Sequence, residues 1–416
     1  MTSSPFQTII EQHAEQVAFL WLLRSHAVHA PNYDLDDLAE LEQRIDGHIK
    51  GLKVSGENAW EICAKALEDG DAGEVFAASV LAIDGVKKER LRAILDTADA
   101  APEEARGMIS ALGWHSFPTV KPIADQLLSA ESPTHRRIGL AAYAVHRNDP
   151  GRALDDALND TEPVLRARAL KAAGELRSNG RLKFIEARLS DGNQRCAFWA
   201  AWAATVLGSD IGLSSLVTLA KSDSPFAERA LRLAPRYLPT RSALNLVEQL
   251  GCEQKTLRGA IIAAGAAGAP EKIPWLIEQM RKETHTRVAG EAFSMITGLD
   301  LAAENMDGSK PEGFEAGPTE NPEDDNVSMD ADEDLPWPKM AAIADWWQRN
   351  LTRYSKDTRY LFGKTIEDKN LTDILKSGFQ RARAAAAFEL AKKQPCWPPF
   401  ETRAQAAVQR QLLESA

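Results

Sequence analysis

Residues 158–177 read Leu-Asn-Asp-Thr-Glu-Pro-Val-Leu-Arg-Ala-Arg-Ala-Leu-Lys-Ala-Ala-Gly-Glu-Leu-Arg. Leu158 closes one helix. Asp160, Thr161 and Pro163 make a turn and cap the next helix, with Pro163 in the first turn, where a missing N–H costs little. Val164, Ala167, Leu170, Ala173, Gly174 and Leu176 then fall at helical spacing, which predicts an apolar face built of small residues. The stretch reads as the second half of a two-helix repeat.

The pattern recurs. Small-residue helices are expected near 74–83, 104–114, 135–146, 164–177, 196–207, 227–233, 256–267 and 286–297. Helices with larger apolar residues lie between them, at 124–128, 182–189, 213–219, 244–250 and 273–280. The register is close to 31: Arg106, Arg137 and Arg168 are each 31 apart, as are Leu81, Leu112, Tyr143, Gly174 and Thr205. Two helices per step of about 30 residues is a solenoid signature. The expected fold is all-α, a right-handed superhelix of helical pairs.

Working outward, residues 1–70 are helical without repeating and are expected to cap the open end of the array. Within them, Asp34 caps a helix through Leu38, Leu41, Ile45, Ile49 and Leu52. The repeats occupy 71–300. Residues 301–335 are rich in Pro, Gly, Asn, Asp and Glu and read as a strap or linker. Residues 336–416 form a helical C-terminal block, in which 379–388 is another small-residue helix, either one more repeat or a cap.

The charge is concentrated. The chain has 416 residues, 44% hydrophobic and 26% charged, with a net charge of −11. The strap holds twelve acidic side chains and one base, Lys310, so it carries −11 and the rest sums to zero. Its acidic residues include Glu323, Asp324, Asp325, Asp330, Asp332, Glu333 and Asp334. A neutral body with an acidic strap argues against a nucleic-acid partner. Cys63, Cys196, Cys252 and Cys396 are far apart, with no CxxC pair, and read as free thiols of a reducing compartment. No signal peptide or membrane-length stretch is evident, so a cytoplasmic location without a membrane partner is expected.

The turn and helix at 158–177 resemble the second half of a HEAT repeat. Such repeats place an Asp in the inter-helix turn, Val-Arg at the start of the second helix, and Ala, Ala and Gly on its buried face. Asp160 and Arg166 are six apart, as are Asp223 and Arg229, and Glu131 and Arg137 keep the same spacing; Cys252 stands six before Arg258. The resemblance covers roughly 70–298. An ordered combination is narrower: Gly290-Glu291-Ala292-Phe293, Ile296-Thr297-Gly298, the acidic strap, Leu335-Pro336-Trp337-Pro338, Trp346-Trp347, and Glu11-Gln12-His13-Ala14-Glu15 with Ala18-Phe19-Leu20-Trp21. Together these resemble an uncharacterised proteobacterial family of HEAT-repeat proteins, often encoded near type VI secretion genes. The resemblance implies an accessory role to a secreted effector or spike component. It offers no catalytic residues.

Candidate sites follow. Arg106, Arg137, Arg166, Arg168, Arg229, Arg258 and Arg287 form either a basic track for an acidic partner or a structural ladder bonded to turn carboxylates and helix ends. A third arrangement lays the acidic strap against these arginines. Trp199 and Trp202, three apart on one helix, and the adjacent Trp346 and Trp347 are candidate partner contacts or parts of satellite cores. Asp330, Asp332 and Asp334 alternate as in a calcium loop, but Leu335 stands where Gly is needed and Ala341 where a bidentate Glu is needed. His26 and His29 lack further metal ligands. No GxSxG, P-loop or GxGxxG occurs, so no catalytic, cofactor or metal residues are assigned. The leading expectation is a non-enzymatic scaffold or adaptor that binds a protein. The alternatives are a lyase-like enzyme on a HEAT scaffold and an immunity or inhibitor protein covering a basic toxin surface.

Overall fold

The computed structural model describes residues 5–68, 70–85, 87–317 and 329–414. The fold is all-α: 22 α-helices and two ladders of two-residue strands make up its regular structure, apart from four short 3-10 turns, among the described residues. No helix among them is long and apolar enough to cross a membrane. The chain divides into two compact units. One comprises residues up to 29, residues 33–212 and residues from 395 onward; the other comprises 30–32 and 213–394. This partition departs from the sequence-based one. The repeat region is shared between units, and the expected C-terminal block is split at residue 394.

In the first unit, Pro5–Ala27, Leu35–Ser55 and Glu57–Ala66 form a helical group. Asp34 caps the second of these with a full capping box, the reciprocal bonding that satisfies orphan N–H groups. Five small-residue helices follow: Ala72–Gly85, Ala105–Trp114, Pro133–Val145, Pro163–Glu175 and Gln194–Val206. Each packs against the next, forming a row. Lys88–Ala100, Phe117–Leu128, Arg152–Leu158 and Leu182–Glu186 each pack on the row helix that follows them. Small residues permit this spacing. A Cβ on Gly174 would sit 2.4 Å from the Trp202 ring of the next row helix.

Row helices are enclosed on more than one side. In Pro163–Glu175, Leu165, Ala169 and Ala172 are buried alongside Ala167, Leu170 and Ala173, whereas Val164 is 44% exposed. The expected single apolar stripe beginning at Val164 is therefore too narrow. Two neighbouring row helices and a preceding helix cover it instead.

The true period is close to 30, and two sets of residues mark it. Near the start of a row helix, a side chain bonds the carbonyl six residues earlier: Arg136 to Ala130, Arg166 to Asp160, Thr256 to Leu250 and Thr286 to Met280. Past the end of a row helix, a residue turns into the left-handed region: Arg147, Arg177, Gly208, Gly268 and Gly298, with φ between 55° and 90°. At 147, 177 and 208 the next amide bonds back to the carbonyl of the fifth residue before it in Schellman fashion. Against these markers Arg137 and Arg168 are not equivalents; one lies ten residues before its cap and the other nine. One helical position is a rotation of about 100°. The spacing of 31 thus drifts round the helices by one position per repeat, and Arg136, not Arg137, fills the ladder position.

The second unit carries a row of three: Ala227–Tyr237, Leu257–Ala267 and Glu283–Thr297. Thr240–Gly251 and Ile273–Gln279 each pack beside the row helix that follows. Met340–Asn350 packs on Ile273–Gln279. Asp368–Ser377 and Gln380–Lys393 form a pair, and the latter also packs on Ala227–Tyr237 rather than extending the row past Glu283–Thr297. Asp307–Gly308 pairs with Trp337–Pro338, and Tyr360–Leu361 with Lys364–Thr365.

Candidate partner-binding surfaces

The arginine ladder is a real device of the first unit, carried by Arg136 and Arg166. Arg136 reaches the Asp160 carboxylate at 2.9 Å, and Arg166 grips both oxygens of Asp191 at 2.7 and 3.0 Å. The same Asp side chains accept from the amides of Glu162 and Asn193, fixing their turns. Each arginine thus ties its own helix start to the turn of the following repeat. The second unit drops the device. Asp223 pairs with Lys255 at 2.7 Å, and Arg229 is exposed. A Thr hydroxyl replaces Arg at 256 and 286.

The candidate track lies beside the ladder. Arg106 stands 3.9 Å from Glu104 and over the Trp21 ring. Arg168 pairs with Glu175 at 3.0 Å. Arg137 bonds only the Pro102 carbonyl; it has no carboxylate at ion-pair distance among the described residues, and its Nε is buried without an acceptor. Burial, Arg195 and Arg168 all lower its pKa, against Glu103. Burial is the largest of these effects, and the attraction of Glu103 exceeds the repulsion from either arginine.

A second cluster closes on Glu175. This carboxylate is buried, yet Arg168, Lys171 and Arg403 surround it at 3.0, 3.6 and 3.2 Å. Burial opposes its ionisation; the Arg168, Lys171, Arg403 and Arg147 charges overcome that and hold the carboxyl at about 2. Burial and Arg403 pull the Lys171 ammonium down to about 8, and its Nζ lies 4.9 Å from the centre of the Trp199 ring. Glu401 belongs to the same cluster, bonding Arg403 at 2.6 Å and Arg147 at 3.2 Å. Arg147 also donates to the Pro399 carbonyl, and Arg177 to the Pro395 carbonyl. The two left-handed arginines are therefore clamps on residues 395–403. No sequence signal pointed to them.

In the second unit the equivalent positions are glycines, and backbone takes the place of side chain. The Gly268 carbonyl accepts from the Tyr360 amide at 2.8 Å; Phe362 and Gly363 donate to the Met295 and Ile296 carbonyls at 2.7 and 3.0 Å. A Cβ at Gly298 would meet the Phe362 oxygen at 2.5 Å. Charge is buried here as well. Glu389 is 1% exposed, with Arg359 at 2.5 Å and Arg236 at 3.7 Å. Burial lowers Arg236 to about 10. Glu291 joins Arg381 at 2.6 Å and Arg232 at 3.6 Å; Glu291, Arg232 and Arg236 line a cavity of about 30 Å³.

Among the described residues, the acidic strap lies against two of the seven arginines through Asp330 and Asp332. Asp332 is bidentate on Arg258 at 2.7 and 2.8 Å; Asp330 takes Arg287 at 2.6 Å, and the Asp332 carbonyl takes the other Arg287 nitrogen at 2.9 Å. The Arg287 guanidinium lies against Trp337, 4.5 Å from its ring centre, and against Phe314 at 5.4 Å, a cation–π arrangement with two adjoining rings. Glu333 is exposed. Asp334 is half-buried. Glu323, Asp324 and Asp325 lie outside the described residues. The alternating Asp330 and Asp332 thus serve arginines, and no group of three or more metal-ligating side chains occurs among the described residues.

The tryptophans are mostly structural. Trp202 is buried and edge-on to Trp199, which is half-buried. Trp347 is buried against Tyr354, and Trp346 packs edge-on to Phe293. Trp202 and Trp347 therefore have no face to offer a partner, a correction to the expectation from sequence. Adjacent helical residues diverge by about 100°, and here both directions meet the chain's own rings. The cysteines are free, with Cys63 and Cys196 buried. Burial pushes the Cys63 thiol up to about 12, which makes it inert. No protein-family model matches the chain, and no curated protein matches it by sequence.

Proposed function

We propose that the chain is a HEAT-like, non-enzymatic scaffold that binds an acidic segment of a protein partner along Arg106, Arg137, Arg168 and the exposed side of Trp199. The observation that carries this reading is Arg137. Its charge is partly desolvated, its Nε is buried without an acceptor, and no carboxylate lies at ion-pair distance among the described residues, Glu103 attracting it only from farther off. A carboxylate supplied in trans would offset that cost and gain a charge-assisted hydrogen bond. On the resemblance to proteins encoded near type VI secretion genes, the partner is an effector or spike component, met in the cytoplasm.

The test is capture of partners by the tagged full-length chain and by Arg137→Gln and Arg168→Gln variants, at low and high salt. A stoichiometric partner retained by the parent chain, and lost in the variants and in salt, supports the reading. Retention by both variants sinks it. The lyase-like reading keeps one observation in its favour, the Lys171 amine at about 8 beside Glu175 and Trp199. It calls for amine-directed labelling at pH 8, with selective modification of Lys171 as its expected sign. The inhibitor reading is weakened by the strap, because Asp330 and Asp332 already have cationic partners within the chain.

A further inference from the structure

We infer that Arg258 and Arg287, with the rings of Trp337 and Phe314, form a recognition site for an Asp-x-Asp segment of an acidic protein partner, which the chain's own Asp330-Ala331-Asp332 occupies in cis. The inference deepens the scaffold reading and rests on it, but it concerns a different surface and different residues.

Three features argue for a recognition site and against a simple surface ion pair. The first is geometry. Both carboxylates and the intervening backbone are read: Arg258 takes two oxygens of Asp332, while Arg287 takes the Asp330 carboxylate and the Asp332 carbonyl. The Asp332 amide in turn bonds the Asp330 carboxylate at 3.0 Å, so the segment is bound as a compact unit of two carboxylates and one carbonyl. The second is organisation of the receptor. Arg287 is 6% exposed and packed against two rings that are edge-on to each other at 4.8 Å. Arg258 is oriented independently by Glu228 at 2.8 Å. Preorganised guanidinium groups lose little freedom on binding a carboxylate.

The third is the way the occupant is held. Met329, Ala331 and Glu333 are exposed, so between residues 329 and 333 the segment buries essentially its aspartates. Apolar anchoring begins only at Leu335. A segment seated by charge is exchangeable for another of the same pattern, and its tether gives it the advantage of high effective concentration. The strap is thus a competitor that keeps the site closed to weak acidic ligands and open to a partner that presents more carboxylates.

The test uses the full-length chain and a fluorescein-labelled peptide of residues 329–336, Met-Asp-Ala-Asp-Glu-Asp-Leu-Pro, read by fluorescence anisotropy. Emptying the site with Asp330→Asn and Asp332→Asn is expected to tighten peptide binding at least tenfold over the unsubstituted chain. Adding Arg258→Gln and Arg287→Gln is expected to remove the binding. A peptide with Asn in place of Asp330 and Asp332 is expected not to bind. Equal affinity of the emptied and unsubstituted chains, or binding that survives loss of both arginines, overturns the inference. If thermal melting shows that the double Asn variant does not fold, Asp330→Asn alone is used. That residue is half-buried and frees only the Arg287 arm, with about a threefold gain expected; no gain overturns the inference. Arg137→Gln leaves this binding unchanged, so failure here is separable from failure of the surface in the first unit.

Discussion

Two row-helix ends of the first unit use one position of the repeat in the opposite way from two of the second, while a third first-unit end, Gly208, keeps glycine. At 147 and 177, past the ends of two row helices, the first unit places arginine; at 268 and 298 the second places glycine. All four residues are left-handed. Glycine adopts that conformation freely, whereas arginine pays roughly 1 kcal/mol for it. The arginines recover the cost by reaching carbonyls and a carboxylate at 395, 399 and 401. The glycines recover nothing through side chains and instead let the 360–363 hairpin come into backbone contact. A repeat helix end can therefore hold a later segment of chain either by reaching for it or by making room for it.

The comparison breaks most sharply at Gly298. Gly298→Val combines left-handed strain with a clash against the Phe362 carbonyl, and a loss of about 4 kcal/mol is expected in denaturant unfolding of the second unit. Next comes acid. The Glu175 carboxyl is depressed from 4.5 to about 2, so its contribution is fully present above pH 4.5 and disappears as pH falls through about 2. That contribution is on the order of 3 kcal/mol. Glu175→Gln should flatten the first unit's stability profile across this window; an unchanged profile would mean the cluster does not hold residues 395–403.

Smaller effects sharpen the contrast. Arg147→Ala loses the clamp and keeps the strain, with roughly 2 kcal/mol lost. Arg147→Gly loses the clamp and relieves the strain, so it should be the milder change by roughly 1 kcal/mol. Hydrogen exchange at 399–403 should rise equally in both. The mildest is Gly208→Ala. Gly208 is left-handed with no atom within 4 Å of its would-be Cβ, so only backbone strain of about 1 kcal/mol is expected. If Gly208→Ala and Gly298→Ala prove equally damaging, the close approach of the hairpin contributes nothing.

Much of the row was legible because small-residue periodicity is local. The helix at 158–177, its Pro163 start and the Asp160 turn all follow from neighbouring side chains. The register drifts by one residue per repeat, because Arg106, Arg137 and Arg168 are conspicuous in sequence while the ladder is carried by Arg136, Arg166 and two threonines, whose shared role is a bond to a carbonyl. Such a bond accepts different donors and leaves no residue-type signature. Charge partition pointed to the strap meeting arginines but could not choose among seven. The clamps were illegible for a different reason: arginine is not a helix-end signal, and its partners lie more than two hundred residues away. Likewise, adjacency alone leaves Trp346 and Trp347 open between partner contact and satellite core, and the rings of Phe293 and Tyr354 that face them lie far off or unmarked in the sequence.

Residues 395–414 complete a unit whose other parts precede residue 213. Glu42, buried with Arg24, accepts from the Ala406 amide, and Arg24 also donates to the carbonyls of Arg403 and Ala404. During synthesis these groups wait while residues 213–394 are made, on the order of 10–40 s at ~5–20 residues per second. For that interval the Arg24, Glu42, Arg147 and Glu175 sites exist without the segment they are shaped to receive. The nascent first unit is in that sense an open receptor for its own later residues, and its final closure is a timed event in the life of the chain.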